Sequence, residues 1–162
     1  MCCFGRFARS LSAQRYGSSI EIAIADRGIG ILGSLGQLFK DLKSDAQALD
    51  LALKPGVSRV RIADAGDDEW SNSGFGLYVL SQLGRRTGSF MLLSGKGYVR
   101  LPHDGTFPFW SQFTGTFLGL QVQRPKGQNL GQFIEQIIAE GEEKAASSDF
   151  PRRASKSTKS VF

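Results

Sequence analysis

The feature that most constrains this chain is an alternating apolar strand that runs directly into a glycine turn. Residues 19–25 read Ser-Ile-Glu-Ile-Ala-Ile-Ala, and isoleucine at every second position is typical of a strand. An Asp-x-Gly-x-Gly motif follows at residues 26–30. A carboxylate at the end of a buried strand is costly without hydrogen-bond donors, and glycine lets a flat ring approach the backbone. Asp26, Gly28 and Gly30 are therefore candidate binding residues, and a purine amine is a suitable donor to the carboxylate.

A second glycine cluster, Gly74-Phe75-Gly76-Leu77, opens an apolar helix. The first N–H groups of a helix have no partner within it and carry a partial positive charge, so phosphate is favoured there. Each cluster alone is typical of an ordinary tight turn. Their order along the chain, with a long polar loop at residues 57–73 between them, indicates one site that holds a purine at one end and its charged chain at the other.

The remaining pattern predicts an α+β fold. Ser44 with Gln47 three residues later resembles a capping box for a helix over residues 45–53, and Asn129 caps a helix with apolar residues at helical spacing. Further elements are expected as a helix over 32–42, strands over 89–93, 98–101 and 116–122, and a hairpin turn at 94–97. This order predicts a mostly antiparallel sheet with helices on one face.

Composition divides the chain into four segments. They are a short helix or disordered lead at 1–17, a domain at 18–125 that includes the loop at 57–73, an amphipathic helix at 126–146 and a basic disordered tail at 147–162. The lead carries arginines and no acid, and Phe4, Phe7, Ala8 and Leu11 share a helical stripe. The net charge is +5, and most of it lies in the tail, so the composition does not favour a nucleic-acid partner.

Composition also bears on the compartment. The chain is 41% hydrophobic, enough for a core, but no run approaches the ~18 apolar residues of a membrane helix. Cys2 and Cys3 are adjacent and cannot form a disulfide framework. A cytoplasmic, reducing location is expected.

Residues 18–123 resemble the ATP-binding domain shared by histidine kinases, gyrase-type topoisomerases, gyrase-like heat-shock chaperones and mismatch-repair ATPases, the GHKL superfamily. The first glycine box of the family matches residues 26–30, its second box matches 74–77, and its Gly-Thr pair matches Gly115 and Thr116. The resemblance implies a two-layer α/β sandwich of the histidine kinase-like ATPase type with a mixed sheet. It also implies ATP or ADP as ligand, with Mg²⁺.

The resemblance further implies a role for the matched residues. Asp26 would accept the adenine amine, and Gly30 would pack beside the ring. Gly74 and Gly76 would leave backbone N–H groups free for the phosphates. Thr116 would help to orient the adenine through a water. The loop at 57–73 would then be the lid over the nucleotide, and Gly28, Phe75 and Leu77 complete the two boxes.

One part of the family pattern is missing. Family members carry a helix before the first glycine box, in which an Asn binds Mg²⁺ and, in hydrolysing members, a Glu activates water. Here the first Asn is Asn72 and the first acid is Glu21, inside the predicted strand. The resemblance therefore implies an ATP-binding domain in signalling or regulation whose catalytic residues are incomplete in this sequence. Such a chain would be a truncated gene product, a degenerate pseudo-ATPase or one part of a split site.

An alternative function comes from another class. The chain would keep the fold without catalysis and act as an interaction module, as anti-sigma-like regulators do. Its apolar helix face at residues 129–140 would then bind a protein partner or a second copy.

Overall fold

The structure, a computed structural model, describes residues 9–59, 73–102, 106–108, 114–124, 127 and 129–159. The strands are β1 (Arg9–Tyr16), β2 (Ser19–Asp26), β3 (Gly88–Ser94), β4 (Gly97–Leu101), β5 (Thr106–Pro108) and β6 (Thr116–Gln123). The helices are α1 (Gly30–Leu35), α2 (Asp45–Ala52), α3 (Gly76–Thr87), α4 (Leu130–Ala146) and α5 (Lys156–Lys159). The α+β class is therefore confirmed. Most of the predicted lid loop, residues 60–72, lies outside the described residues.

The six strands form one sheet in the order β1-β2-β6-β3-β4-β5. Each of these neighbouring pairs is antiparallel. The expected mixed sheet is not seen in the described part of the chain, and the reason lies in the position of β6. β2 and β3 run in the same direction, but β6 lies between them and is antiparallel to both.

The core lies on one face of the sheet, under the helices. Alternate residues of β3, β4 and β6 supply its apolar side chains, and Leu49 of α2 joins them. Leu77 and Leu80 of α3 and Ile31 of α1 pack against the same cluster. The sheet and the helices on this face make the two layers of an α/β sandwich, because each element buries its apolar side against the other.

The two predicted helix caps are present. Ser44 Oγ accepts a hydrogen bond from the backbone N–H of Gln47 at 3.2 Å, and α2 begins at the next residue. Asn129 Oδ1 accepts from the N–H of Gly131 at 2.8 Å at the start of α4. The helix predicted over 32–42 is shorter, since α1 ends at Leu35.

The N-terminal segment differs from the expected short helix or disordered lead at 1–17. Residues 9–16 form β1, which pairs with β2 along its whole length, from Arg9 opposite Asp26 to Tyr16 opposite Ser19. Gly17, with φ of +55°, lies in the tight turn between them. An isolated helix of this length is only marginally stable in water, whereas pairing with β2 gives a continuous hydrogen-bonded ladder, so the strand is preferred. Residues 1–8 lie outside the described part.

The C-terminal segment also differs from the expected disordered tail at 147–162. Ala154 is buried in the cluster of α3 and α4, and its N–H donates to Glu142 Oε1 at 2.9 Å. Lys159, in α5, forms an ion pair of 2.8 Å with the same carboxylate. The ring of Phe150 meets Phe39 edge-on at 5.5 Å. Apolar burial and one carboxylate therefore hold residues 147–159 on the body, in spite of their basic composition.

The apolar face of the predicted C-terminal helix is not free for a partner. Ile134, Ile137 and Ile138 of α4 are buried in one cluster with Tyr78 of α3 and with Phe75, which directly precedes α3. The helix therefore completes the core of its own chain, and the expectation that residues 129–140 present an open docking face is wrong.

Candidate functional site

The predicted site residues meet at one cavity of about 1090 Å³. It lies between the end of β2, the turn into α1, the start of α3 and the start of β6. Seven of the eight candidate residues border it: Asp26, Gly28, Gly30, Gly74, Gly76, Leu77 and Thr116. The two glycine clusters, which are distant in sequence, therefore face a common space.

Phe75 is the exception among the candidates. Its side chain is fully buried in the cluster of α3 and α4, and its ring lies edge-on to Tyr78 with centroids 6.5 Å apart. The middle residue of the second glycine cluster therefore anchors α3 to the core, and its flanking glycines border the cavity.

Asp26 lies at the last position of β2, directly opposite Thr116 of β6 in the strand register. Its Oδ1 accepts a hydrogen bond from the N–H of Gly28 at 2.7 Å, which closes the local turn. No described residue donates to the other carboxylate oxygen, Oδ2. One oxygen of Asp26 is thus used to shape the turn, and the residue borders the cavity.

Ser94 fastens the first glycine turn to the sheet. Its Oγ accepts from the N–H of Ile31 at 2.9 Å and donates to the carbonyl of Gly115 at 3.1 Å, and the side chain is 1% exposed. Ser94 also lies opposite Thr116 in the register of β3 and β6. Sequence reasoning placed it only at a hairpin turn. The available signal was its position in the stripe of Phe90 and Leu92, where a polar residue ends a buried face.

Two positions beside Ser94 have no room for a side chain and must be glycine. Gly30 has φ of +72°, and a Cβ there would lie 2.9 Å from Ser94 Oγ. Gly115 has φ of +125°, and a Cβ there would collide with the carbonyl oxygen of Asp26. Glycine at these positions allows the turn after β2 and the entry into β6 to approach each other closely.

The start of α3 is open to the cavity. The N-cap residue, Phe75, gives no side-chain hydrogen bond, and the first turn carries no acid. A Cβ built on Gly76 meets no atom within 4 Å, so there is free space at the helix entry. Gly74, with φ of +80°, passes so close to the carbonyl of Val57 that a side chain would collide. The first N–H groups of α3 therefore have no side-chain cap and no neighbouring acid, an arrangement that favours negative charge at this end of the helix.

Three hydroxyl groups border the cavity with Gly74 and Gly76. Ser73 Oγ lies 3.3 Å from Ser155 Oγ, which lies 3.2 Å from Thr158 Oγ1. Arg9 and Arg59 border the same cavity. Sequence reasoning missed the two C-terminal hydroxyls, since Ser73 and Ser155 are 82 positions apart and no local pattern connects them.

The described lining does not fit a magnesium site. Magnesium prefers several oxygen ligands, and Asp26 is the one carboxylate among the described residues of the lining. Within the described ranges, no three side chains from His, Cys, Asp and Glu come together as a metal site requires.

No protein-family model, curated protein or solved structure matches this chain. Assignment of a function therefore depends on the residues and their geometry. Among the helices in the described residues, none combines the length and the apolar character needed to cross a bilayer.

Proposed function

We propose that this protein binds ATP in the cavity between β2 and α3, as a nucleotide-binding domain of the histidine kinase-like ATPase type that serves in signalling or regulation. One observation carries the proposal. The carboxylate of Asp26 and the uncapped start of α3 at Gly76 border the same cavity. A purine nucleotide needs this pair of features, because its base offers a hydrogen-bond donor and its phosphates carry negative charge.

The adenine end is assigned to Asp26 and the turn that follows it. Oδ2 of Asp26 would accept the exocyclic amine, while Oδ1 keeps its hydrogen bond to Gly28. Gly28 and Gly30 present backbone without side chains, and the apolar side chains of Ile31 and Leu77 border the same space. A flat, largely apolar ring with one donor edge matches these surroundings.

The phosphate end is assigned to the start of α3. Gly74 and Gly76 expose backbone there, and the hydroxyls of Ser73, Ser155 and Thr158 border the same cavity. Hydroxyl and amide donors around a helix N-terminus favour an anion through both hydrogen bonds and the helix dipole. The proposal is limited to binding, and no residue is assigned to the cleavage of ATP.

Titration of a fluorescent ATP analogue into the full chain tests the assignment. Asp26→Asn should weaken binding about tenfold to a hundredfold, because a hydrogen bond to a charged group contributes about 1.5–3 kcal/mol. Glu21→Gln is the matched control, since it removes a carboxylate from the same strand and its partner is Gln121 on the neighbouring strand. This control should bind like the wild type. Equal binding by Asp26→Asn and the wild type would show that Asp26 does not bind the adenine.

Competition between nucleotides gives a second measurement. Unlabelled ATP should displace the analogue better than GTP does, because guanine carries a carbonyl where adenine carries the amine, and two acceptors repel each other. The preference for ATP should shrink in Asp26→Asn. Equal displacement by both nucleotides in the wild type would contradict the role given to Asp26.

A further inference from the structure

A stripe of large apolar side chains lies exposed on β1 and β2. Leu11 is 72% exposed, Ile20 47% and Ile24 41%. Leu11 lies opposite Ile24 in the strand register, and Ile20 lies four residues before Ile24, so all three share one face of the sheet. We call these three residues the open sheet face.

The open sheet face is a continuation of the core. Ile22 is on the same side of β2, lies opposite Leu120 and packs against the main core cluster. Helices α1, α2 and α3 cover this side of the sheet over β3, β4 and β6. Among the described residues, no helix covers β1 and the outer part of β2. A sheet face of this composition is stable in water only when another element covers it.

The charged residues beside the open sheet face indicate what kind of element would cover it. Arg9 and Arg15 alternate with Leu11 and Ala13, so both arginines belong to the same side of β1 and lie at its two ends. They are six residues apart, about 20 Å along a strand. A helix that spans this distance has about 13 residues. Acidic residues beside its apolar stripe would lie next to the arginines, above all next to Arg15, because Arg9 lies directly opposite Asp26 on the same side of the sheet.

A second copy of this chain does not offer such a helix in its described part. The apolar residues of α2, α3 and α4 are buried in their own core or packed partly buried against it. We therefore propose that the open sheet face binds an acidic amphipathic helix of a partner protein. This surface adjoins the nucleotide cavity, since Ile24 and Arg9 border both. Leu11 and Ile20 do not border the cavity, so substitutions of these two residues test the open sheet face without altering the cavity lining.

The test uses a synthetic peptide as the probe. A fluorescein-labelled amphipathic helix of about 14 residues, with leucine at helical spacing and glutamate elsewhere, is titrated into the full chain and followed by fluorescence polarisation. A second peptide carries lysine in place of every glutamate. The acidic peptide should bind, and the basic peptide should bind at least about tenfold more weakly.

Variants locate the binding surface. The double variant Leu11→Ser with Ile20→Ser should weaken the acidic peptide at least about tenfold, since two apolar contacts are lost. Tyr16→Ser is the control, because Tyr16 is also exposed but alternates to the other side of β1. It should bind the acidic peptide with an affinity within about twofold of the wild type.

The charge of the surface is tested by a second double variant. Arg9→Glu with Arg15→Glu should reverse the preference to the basic peptide. Circular dichroism of each variant checks that the fold is retained.

Three results would overturn the proposal. The first is absence of binding by the acidic peptide, and the second is equal binding of the acidic and basic peptides. The third is a homodimer, seen by light scattering, that Leu11→Ser with Ile20→Ser dissociates. In that last case a second copy, and not a partner helix, covers the open sheet face.

Discussion

The hydroxyl of Ser94 donates a hydrogen bond of 3.1 Å to the carbonyl of Gly115, and it thereby joins the end of β3 to the entry of β6. The same oxygen accepts from the N–H of Ile31 at 2.9 Å. One buried side chain thus connects the turn that carries Asp26 with the strand that carries Thr116. The geometry of the proposed adenine site depends on this connection.

Ser94→Ala should therefore destabilise the fold and weaken ATP binding together. It leaves two backbone groups without their partner, at a cost of about 2 kcal/mol in the free energy of unfolding. Urea unfolding measures that cost. Ser89→Ala, on the same strand but on the opposite face, is the control and should stay within about 0.5 kcal/mol of the wild type. A Ser94→Ala protein as stable as the control would show that the two hydrogen bonds of Ser94 do not contribute to the free energy of unfolding.

Gly76→Ala separates binding from folding. A Cβ at this position meets nothing within 4 Å, and alanine favours a helix more than glycine, so the thermal midpoint should be unchanged or slightly higher. The added methyl group enters the space assigned to the phosphates, and affinity for the ATP analogue should fall about tenfold or more.

Two variants complete the Gly76 experiment. Gln82→Ala makes a substitution elsewhere on α3 and should leave both quantities unchanged. Gly115→Ala should lower the thermal midpoint strongly, because its Cβ would collide with the carbonyl of Asp26. Retention of wild-type ATP affinity in Gly76→Ala would place the phosphates elsewhere.

The attachment of the C-terminal segment should depend on pH. Burial alone raises the pKa of Glu142, but hydrogen bonds from Lys159 and the N–H of Ala154, with the charges of Lys159 and Arg153, outweigh it and lower the pKa below the ordinary 4.5. The stabilisation from a lowered carboxyl pKa is present above the ordinary value and is lost as the pH falls through the folded-state pKa. The segment should therefore be held most firmly at neutral pH, and less firmly as the pH falls below the ordinary value and through the lowered pKa of Glu142.

Hydrogen exchange of the Ala154 amide, measured across this pH range, checks the attachment. Protection, corrected for intrinsic exchange, should decrease as the solution is acidified. Glu142→Gln should show weak protection already at neutral pH and little further change. Glu143→Gln, at the exposed neighbouring position, should behave like the wild type. Strong protection of Ala154 in Glu142→Gln would mean that apolar packing alone holds the segment.

Arg86 and Glu140 link the end of α3 to α4 through two hydrogen bonds, of 3.1 and 2.5 Å. The hydrogen bond and the opposite charge raise the pKa of Arg86 and lower that of Glu140, against the effect of burial. Both side chains are about a third exposed, so screening by water limits the gain. Glu140→Gln should therefore cost no more than about 1 kcal/mol by urea unfolding, and less at high salt. A loss well above that would indicate a stronger coupling of the two helices.

Several elements were predictable because their causes are local. The alternation of isoleucines predicted β2, and the side chains of Ser44 and Asn129 predicted the starts of α2 and α4. The glycine clusters predicted six of the residues around the cavity, and the Gly-Thr pair of the family resemblance added a seventh, Thr116. A strand period, a cap or a tight turn is decided by residues within a few positions of each other, so the amino-acid sequence alone contains the information.

Other features were decided by contacts between distant parts of the chain. Residues 1–17 were expected as a short helix or a disordered lead, and pairing with β2 makes residues 9–16 a strand. The basic C-terminal segment carries no local signal for order, and Glu142 with the core around Ala154 holds it in place. Local propensities near such segments are almost balanced, so the free energy of long-range pairing and burial determines the outcome. Which conformation such a segment adopts can therefore be read only from the tertiary structure.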